Sequence, residues 1–193
     1  MLALFLIHRY TVYMMIDKEM NMNKETLIRD QIIAKYFPNL KDVKARHLNV
    51  ESLIEECIAI ESGLTNANDE SEAQLEYDFV EDLSDSKTAS CSKRVVTNKS
   101  GGTSISYTGK ITSVETKLGC LRCTVYNEYK NSLDFFLIPH EYIKFMAKDL
   151  GGRKGQGKKV IPYSYHTTRD TYSNNMEEFR VATFKDICKV EEK

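Results

Sequence analysis

The sequence predicts an α/β protein with a mixed, mostly antiparallel central sheet flanked by helices. Three observations carry this. Two segments in the first third place apolar residues at helical spacing between stop and start residues. Beyond residue 100, short β-branched and aromatic runs alternate with turn residues. One of those runs, Leu133-Asp-Phe-Phe-Leu-Ile138, is apolar almost throughout, as a strand covered on both faces is.

In chain order, Met1 to Ile7 is apolar but only seven residues long, too short to span a bilayer. No basic segment precedes it and no small-residue cleavage site follows. Residues 1–22, with Met14, Met15, Met20 and Met22, are read as an N-terminal extension. Residues 23–64 form a helical part. Asn23 is a natural cap for a helix with Leu27, Ile28, Ile32 and Tyr36 on one stripe, ended by Pro38. Asn49 caps a second helix from Val50 to Ser62, with Leu53, Ile54, Cys57, Ile58 and Ile60 as its apolar side and Gly63 as its stop.

Residues 65–193 are the sheet core with a C-terminal strand and helix. A polar linker (Thr65 to Ala73) leads to an acidic hairpin, then to a basic segment, Lys93 to Gly102, read as a mobile loop. Strands follow at 104–114, 119–127 and 133–138. A helix is expected over 140–148 and a strand over 160–165, where Pro162 suits only an edge. A short strand at 178–182 precedes a helix capped by Thr183.

Hydrophobic residues at 41% and charged residues at 28% suit a globular chain with a sizeable core. The net charge of −1 hides an asymmetry. Residues 50–92 hold twelve acids and one base, whereas residues 93–193 carry a net +7. An acidic centre beside a basic half suits a cation site next to a phosphate-binding surface. Five cysteines and no secretory signal point to a reducing, cytoplasmic setting. Cys120 and Cys123 form a lone CxxC, and with only His140 and Cys91 as isolated further ligands, free core thiols are expected rather than zinc. Gly152 to Lys158 superficially matches a phosphate-binding loop. Lys159 occupies the position of the required hydroxyl, and the loop follows a helix instead of a strand, so it is read as a flexible basic loop.

The hairpin Glu76-Tyr-Asp-Phe-Val-Glu-Asp-Leu-Ser-Asp-Ser-Lys87 carries the chemistry. A two-residue turn places Asp78 opposite Asp85, and Lys87 joins them because strand residues two apart share a face. Glu76 shares the face of Asp78. Two carboxylates beside an ammonium repel each other unless a cation joins them, and Mg²⁺ takes few protein oxygens, completing its shell with water and phosphate. Lys87 could hold or help deprotonate an attacking water. That chemistry is metal-assisted phosphodiester hydrolysis.

Helix, acidic strand, turn, Asp-x-Lys strand, further strands and a helix, over about residues 50–150, resemble the PD-(D/E)XK nuclease superfamily, which includes many type II restriction endonucleases. The resemblance rests on Asp78 and on Asp85-Ser86-Lys87. It implies a restriction-endonuclease-like fold with Asp78 and Asp85 as metal ligands and Lys87 as the catalytic lysine. A helical glutamate, Glu55 or Glu56, would assist. It implies Mg²⁺ as cofactor, double-stranded DNA as substrate, and a homodimer, because cutting both strands needs two sites. Tyr77 stands where the name-giving proline would be, and only six residues separate Asp78 from Asp85. The first ligand is thus open among Glu76, Asp78 and Asp82, with Glu76 in reserve. DNA contacts are expected from Lys93, Arg94 and Lys99 and from Arg153, Lys154, Lys158 and Lys159. Tyr163, Tyr165, His166 and Arg169 could extend that surface, although a tyrosine-rich strand more often belongs to a core. The competing readings are a non-catalytic nucleic-acid-binding or interaction protein with a solvated acidic hairpin, and a regulatory or structural protein of a mobile element.

Overall fold

The computed structural model of the chain describes residues 24–38, 49–67, 77–97, 101–114, 118–150 and 158–190. Glu76, Lys99, Arg153 and Lys154, the capping Asn23 and the extension at 1–22 lie outside the described residues. The mixed α/β architecture is as expected. Among the described residues, eight strands form one sheet: β1 (Asp85–Thr97), β2 (Thr103–Thr112), β3 (Leu121–Asn127), β4 (Ser132–Ile138), β5 (Lys148–Asp149), β6 (Lys159–His166), β7 (Thr171–Tyr172) and β8 (Arg180–Val181). Their spatial order is β5-β6-β2-β1-β3-β4-β8, with β7 also on β6. Every pairing is antiparallel except β1 with β3.

Strand β1 changes partners along its length. It pairs with β3 from Asp85 to Cys91 and with β2 from Ser92 to Thr97. β2 and β3 lie on opposite sides of β1. At the start of β1 the Asp85 N–H donates to Cys120 O at 3.0 Å. Asp85 is 1% exposed.

Helices cover both faces. Residues 24–36 form α1, with a π-helical stretch at Arg29–Ile33, and α2 is Val50–Ser62. Asn49 Oδ1 accepts the Glu51 N–H at 3.2 Å, and Gly63 closes α2 with φ 75°, which glycine adopts without steric cost. Ile28, Ile32, Leu53, Ile54, Cys57 and Ile58 pack against Phe79, Tyr126 and Leu133 on one face. On the other face, α3 (His140–Met146) sends Ile143 and Met146 onto Ile111, Cys123, Phe136 and Ile161. The terminal helix α4 (Phe184–Ile187) starts at Thr183, the cap anticipated, and Asp186 closes a capping box there.

Several local expectations are corrected. Ile60, placed on the apolar side of α2, is 51% exposed. Residues 93–97 are strand and not loop, since β-branched Val95, Val96 and Thr97 pair with Ile105, Ser104 and Thr103. The helix assigned to 140–148 stops at Met146, and Lys148 begins β5. Residues 176–179 are a 3-10 turn, leaving only Arg180 and Val181 as strand. Pro162, by contrast, lies where an edge was expected: it pairs with Lys110 on one side and no described strand covers the other. It is tolerated because β5 covers only residues 159–160 of the other edge and β7 only 165–166, so no ladder needs its missing N–H. No described helix is long and apolar enough to cross a membrane.

Candidate active site

The acidic hairpin is replaced by a folded turn. The N–H groups of Asp78 and Phe79 both donate to Ser84 O, at 2.9 and 3.1 Å, and β1 starts only at Asp85. Phe79 makes an isolated bridge to Asn66 and is fully buried. Asp78 and Asp85 are therefore not cross-strand partners. They still meet, because the turn folds Asp78 back over the first residues of β1. The Ser86 N–H donates to Asp78 Oδ2 at 2.7 Å, and the two carboxyl groups come within hydrogen-bonding reach of each other.

A buried arginine shapes this turn, and the sequence reading missed it. Arg122, on β3, is 0% exposed. Its Nε donates to Ser84 Oγ at 2.9 Å and its NH2 group to Asp82 Oδ2. NH1 donates to Ile187 O and Lys189 O, and the guanidinium lies over the Phe79 ring. One cation thus joins the turn, the sheet and the C-terminal segment. Asp82 also accepts from the Ser84 N–H and hydroxyl. Burial favours a neutral Asp82, but Ser84 and Arg122 outweigh it and hold the carboxyl below its ordinary range. Of the three candidates for first ligand, Asp82 is committed to Arg122, Glu76 is not described, and Asp78 faces Asp85. Leu83 adopts φ 56°, and its carbonyl packs on Gly119, where any Cβ would collide with the Leu83 and Asp82 carbonyl oxygens.

Lys87 follows Asp85 along β1, and its Nζ lies 2.7 Å from Asp85 Oδ2. The fourth member comes from α2. Glu55 was expected as an assisting acid, and it feels both Asp85 and Lys87. Glu51, one turn earlier, accepts from the Thr88 hydroxyl at 2.9 Å, which docks α2 on β1. Four predicted residues, Asp78, Asp85, Lys87 and Glu55, therefore converge from three separate elements.

Their electrostatics are those of an acid-rich site short of positive charge. Burial, then the hydrogen bond and negative charge of Asp85, then Glu55, push Asp78 well above the usual carboxylate range. Burial raises Glu55 to about 7; Lys87 opposes this, while Asp85 and Glu51 add to it. Burial alone lowers Lys87, but Asp85, Asp78 and Glu55 overcome it, so the amine stays protonated. Among the described residues, no three His, Cys, Asp or Glu side chains are grouped closely enough to hold a metal ion by themselves. Asp78 and Asp85, two adjacent carboxyl groups, form a donor set suited to a hard divalent ion. Mg²⁺ commonly takes only one or two protein carboxylates and fills its shell with water and phosphate. All five cysteines are buried free thiols.

The predicted DNA contacts divide. Lys93, Arg94, Lys158 and Lys159 are exposed. Tyr163 and Tyr165 are buried, at 4% and 5% exposure, and belong to the core. His166 and Arg169 are exposed near β7. Lys110 and Lys148, not selected from the sequence, line a groove with Arg94. A signal for them existed in the strand period, which sets Lys110 on the face opposite the buried Ile111.

Comparison with protein-family models, with curated proteins and with solved structures finds no match to this chain.

Proposed function

We propose that the chain is a Mg²⁺-dependent endodeoxyribonuclease of the PD-(D/E)XK type, acting on duplex DNA as a homodimer in the manner of a type II restriction enzyme. One observation carries this reading: Asp78, Asp85, Glu55 and Lys87 meet at the start of β1 although they come from a turn, a strand and a helix. Such a set of opposed charges is costly to bury without a function for it.

In this reading Asp78 and Asp85 would hold Mg²⁺, whose chemistry there would be Lewis-acid activation of the scissile phosphate. Lys87, kept protonated by the surrounding acids, donates to a phosphate oxygen and stabilises the charge that develops there. Glu55, with its pKa raised to about 7, is partly ionised at neutral pH and accepts the proton of the attacking water. The water oxygen forms the new P–O bond, one P–O ester bond breaks, and the departing alkoxide takes a proton from solvent. The homodimer supplies the second centre that a double-strand cut needs.

Plasmid cleavage with Mg²⁺ and with EDTA tests the proposal. Wild type should linearise supercoiled DNA only with Mg²⁺, and Asp85→Ala should not. Wild type cutting no better than Asp85→Ala rejects the nuclease reading and leaves a non-catalytic binding protein.

A further inference from the structure

Beyond Cys91, strand β1 leaves β3, and β2 joins β6 only from Tyr107 onward. Residues 93–97 and 103–106 therefore form a two-stranded arm with no strand on either outer edge among the described residues. Every residue from Lys93 to Thr97 is exposed, as are Thr103, Ser104 and Ile105. The cross-strand pair Val95 and Ile105 is 57% and 58% exposed, an apolar pair on a ribbon otherwise rich in hydroxyls.

Charge identifies the occupant. From Ser86 to Val114 the sequence holds five lysines and arginines and no Asp or Glu. At the foot of the arm, Arg94, Lys110 and Lys148 line a groove of about 780 Å³ whose walls carry no acid. Glu128, from the β3–β4 turn, accepts the Lys93 amide at 2.6 Å and so closes the arm's base without entering the groove lining. Hydroxyls and cations without carboxylates fit phosphate oxygens, and a two-stranded ribbon fits a B-DNA major groove about 12 Å wide. The apolar pair at mid-arm suits thymine methyl groups.

We infer that the β1–β2 arm enters the major groove of duplex DNA while Arg94, Lys110 and Lys148 grip the flanking phosphates. The choice of ligand rests on the nuclease reading above.

The test measures binding of the full chain to a short duplex in EDTA, where no hydrolysis occurs, across a series of salt concentrations. The triple variant Arg94→Gln/Lys110→Gln/Lys148→Gln should flatten the slope of log affinity against log salt by up to about 2.7. Val95→Ser/Ile105→Ser should weaken duplex binding about tenfold with the slope unchanged. All these positions are exposed, so circular dichroism and melting should stay as in wild type. An unchanged slope, equal binding of single-stranded DNA, or an altered mass in sedimentation that marks the arm as a contact between copies would overturn the inference. If the chain cuts plasmid but the triple variant binds and cuts like wild type, the arm is wrong and the nuclease stands. If nothing is cut but the variants lose duplex binding as described, the nuclease fails and the arm stands.

Discussion

The Ser86 amide donates to Asp78 Oδ2 at 2.7 Å, so the main chain of the strand that carries Asp85 aims the second acid at it. An asparagine at position 78 would keep an oxygen for that amide and lose only the charge. Asp78→Asn should therefore keep the fold and melt higher than wild type at pH 8, by about 1 kcal/mol, because a like-charge contact is gone. Its Mg²⁺-dependent cleavage should drop at least about 100-fold. A melting temperature below wild type would show that the Asp78 charge stabilises the fold.

Stability should depend on pH through Glu55. Its pKa is about 7 in the fold against 4.5 for the free side chain, so between those values the folded chain binds the extra proton. Stability from this group is present at low pH and is lost as pH rises from 4.5 through 7. After allowance for solvent screening the loss is about 1–2 kcal/mol. Thermal melts from pH 5 to pH 8 should show the decline in wild type and a flatter profile in Glu55→Gln. Added Mg²⁺ should raise the melting temperature more at pH 8 than at pH 6, since it competes with the proton held by Asp78, whose carboxyl is also pushed well up.

Breaking the Arg122 network should damage the fold and the site together. Arg122→Ala leaves Asp82 without its buried partner, at a cost of about 3–5 kcal/mol in urea denaturation. Arg122→Met with Asp82→Asn removes both charges and should recover part of that loss. If the single variant were as stable as wild type, the turn would be held by something other than this arginine.

Gly119→Ala places a methyl group against the Leu83 and Asp82 carbonyl oxygens. The backbone there must move, at about 1–3 kcal/mol. Because the same turn carries Asp78, cleavage should fall further than the stability loss alone would account for. Activity per folded molecule, with the folded fraction from circular dichroism, makes the comparison.

How much could be read beforehand depended on whether the signal was local. The α2 boundaries and its Asn49 cap, the β3 and β4 strands and the Thr183 cap lie within a few residues of the groups that determine them. The convergence of Asp78, Asp85, Lys87 and Glu55 was anticipated, but through a hairpin the chain does not form. Spacing along a strand and folding back of a turn bring Asp78 to the same place, and period alone does not separate them. Arg122 was out of reach because its partners are 38 and 40 residues before it and 65 and 67 after it. A lone arginine in the strand pattern of Leu121 to Asn127 gave no hint of a buried ion pair.

The change of partners along β1 also bears on how the chain acquires its structure. The β1–β2 pairing joins neighbours in sequence and closes a short loop, whereas the parallel β1–β3 pairing needs the chain to cross over first. Hairpins form in microseconds, and more distant pairings come later. The half of β1 bearing Arg94 thus gains its ladder early, and the half bearing Asp85 and Lys87 gains it late. Pulse-labelled hydrogen exchange during refolding should find the β1–β2 amides protected before those of β3. A nascent chain would then hold its arm before its carboxylates are assembled.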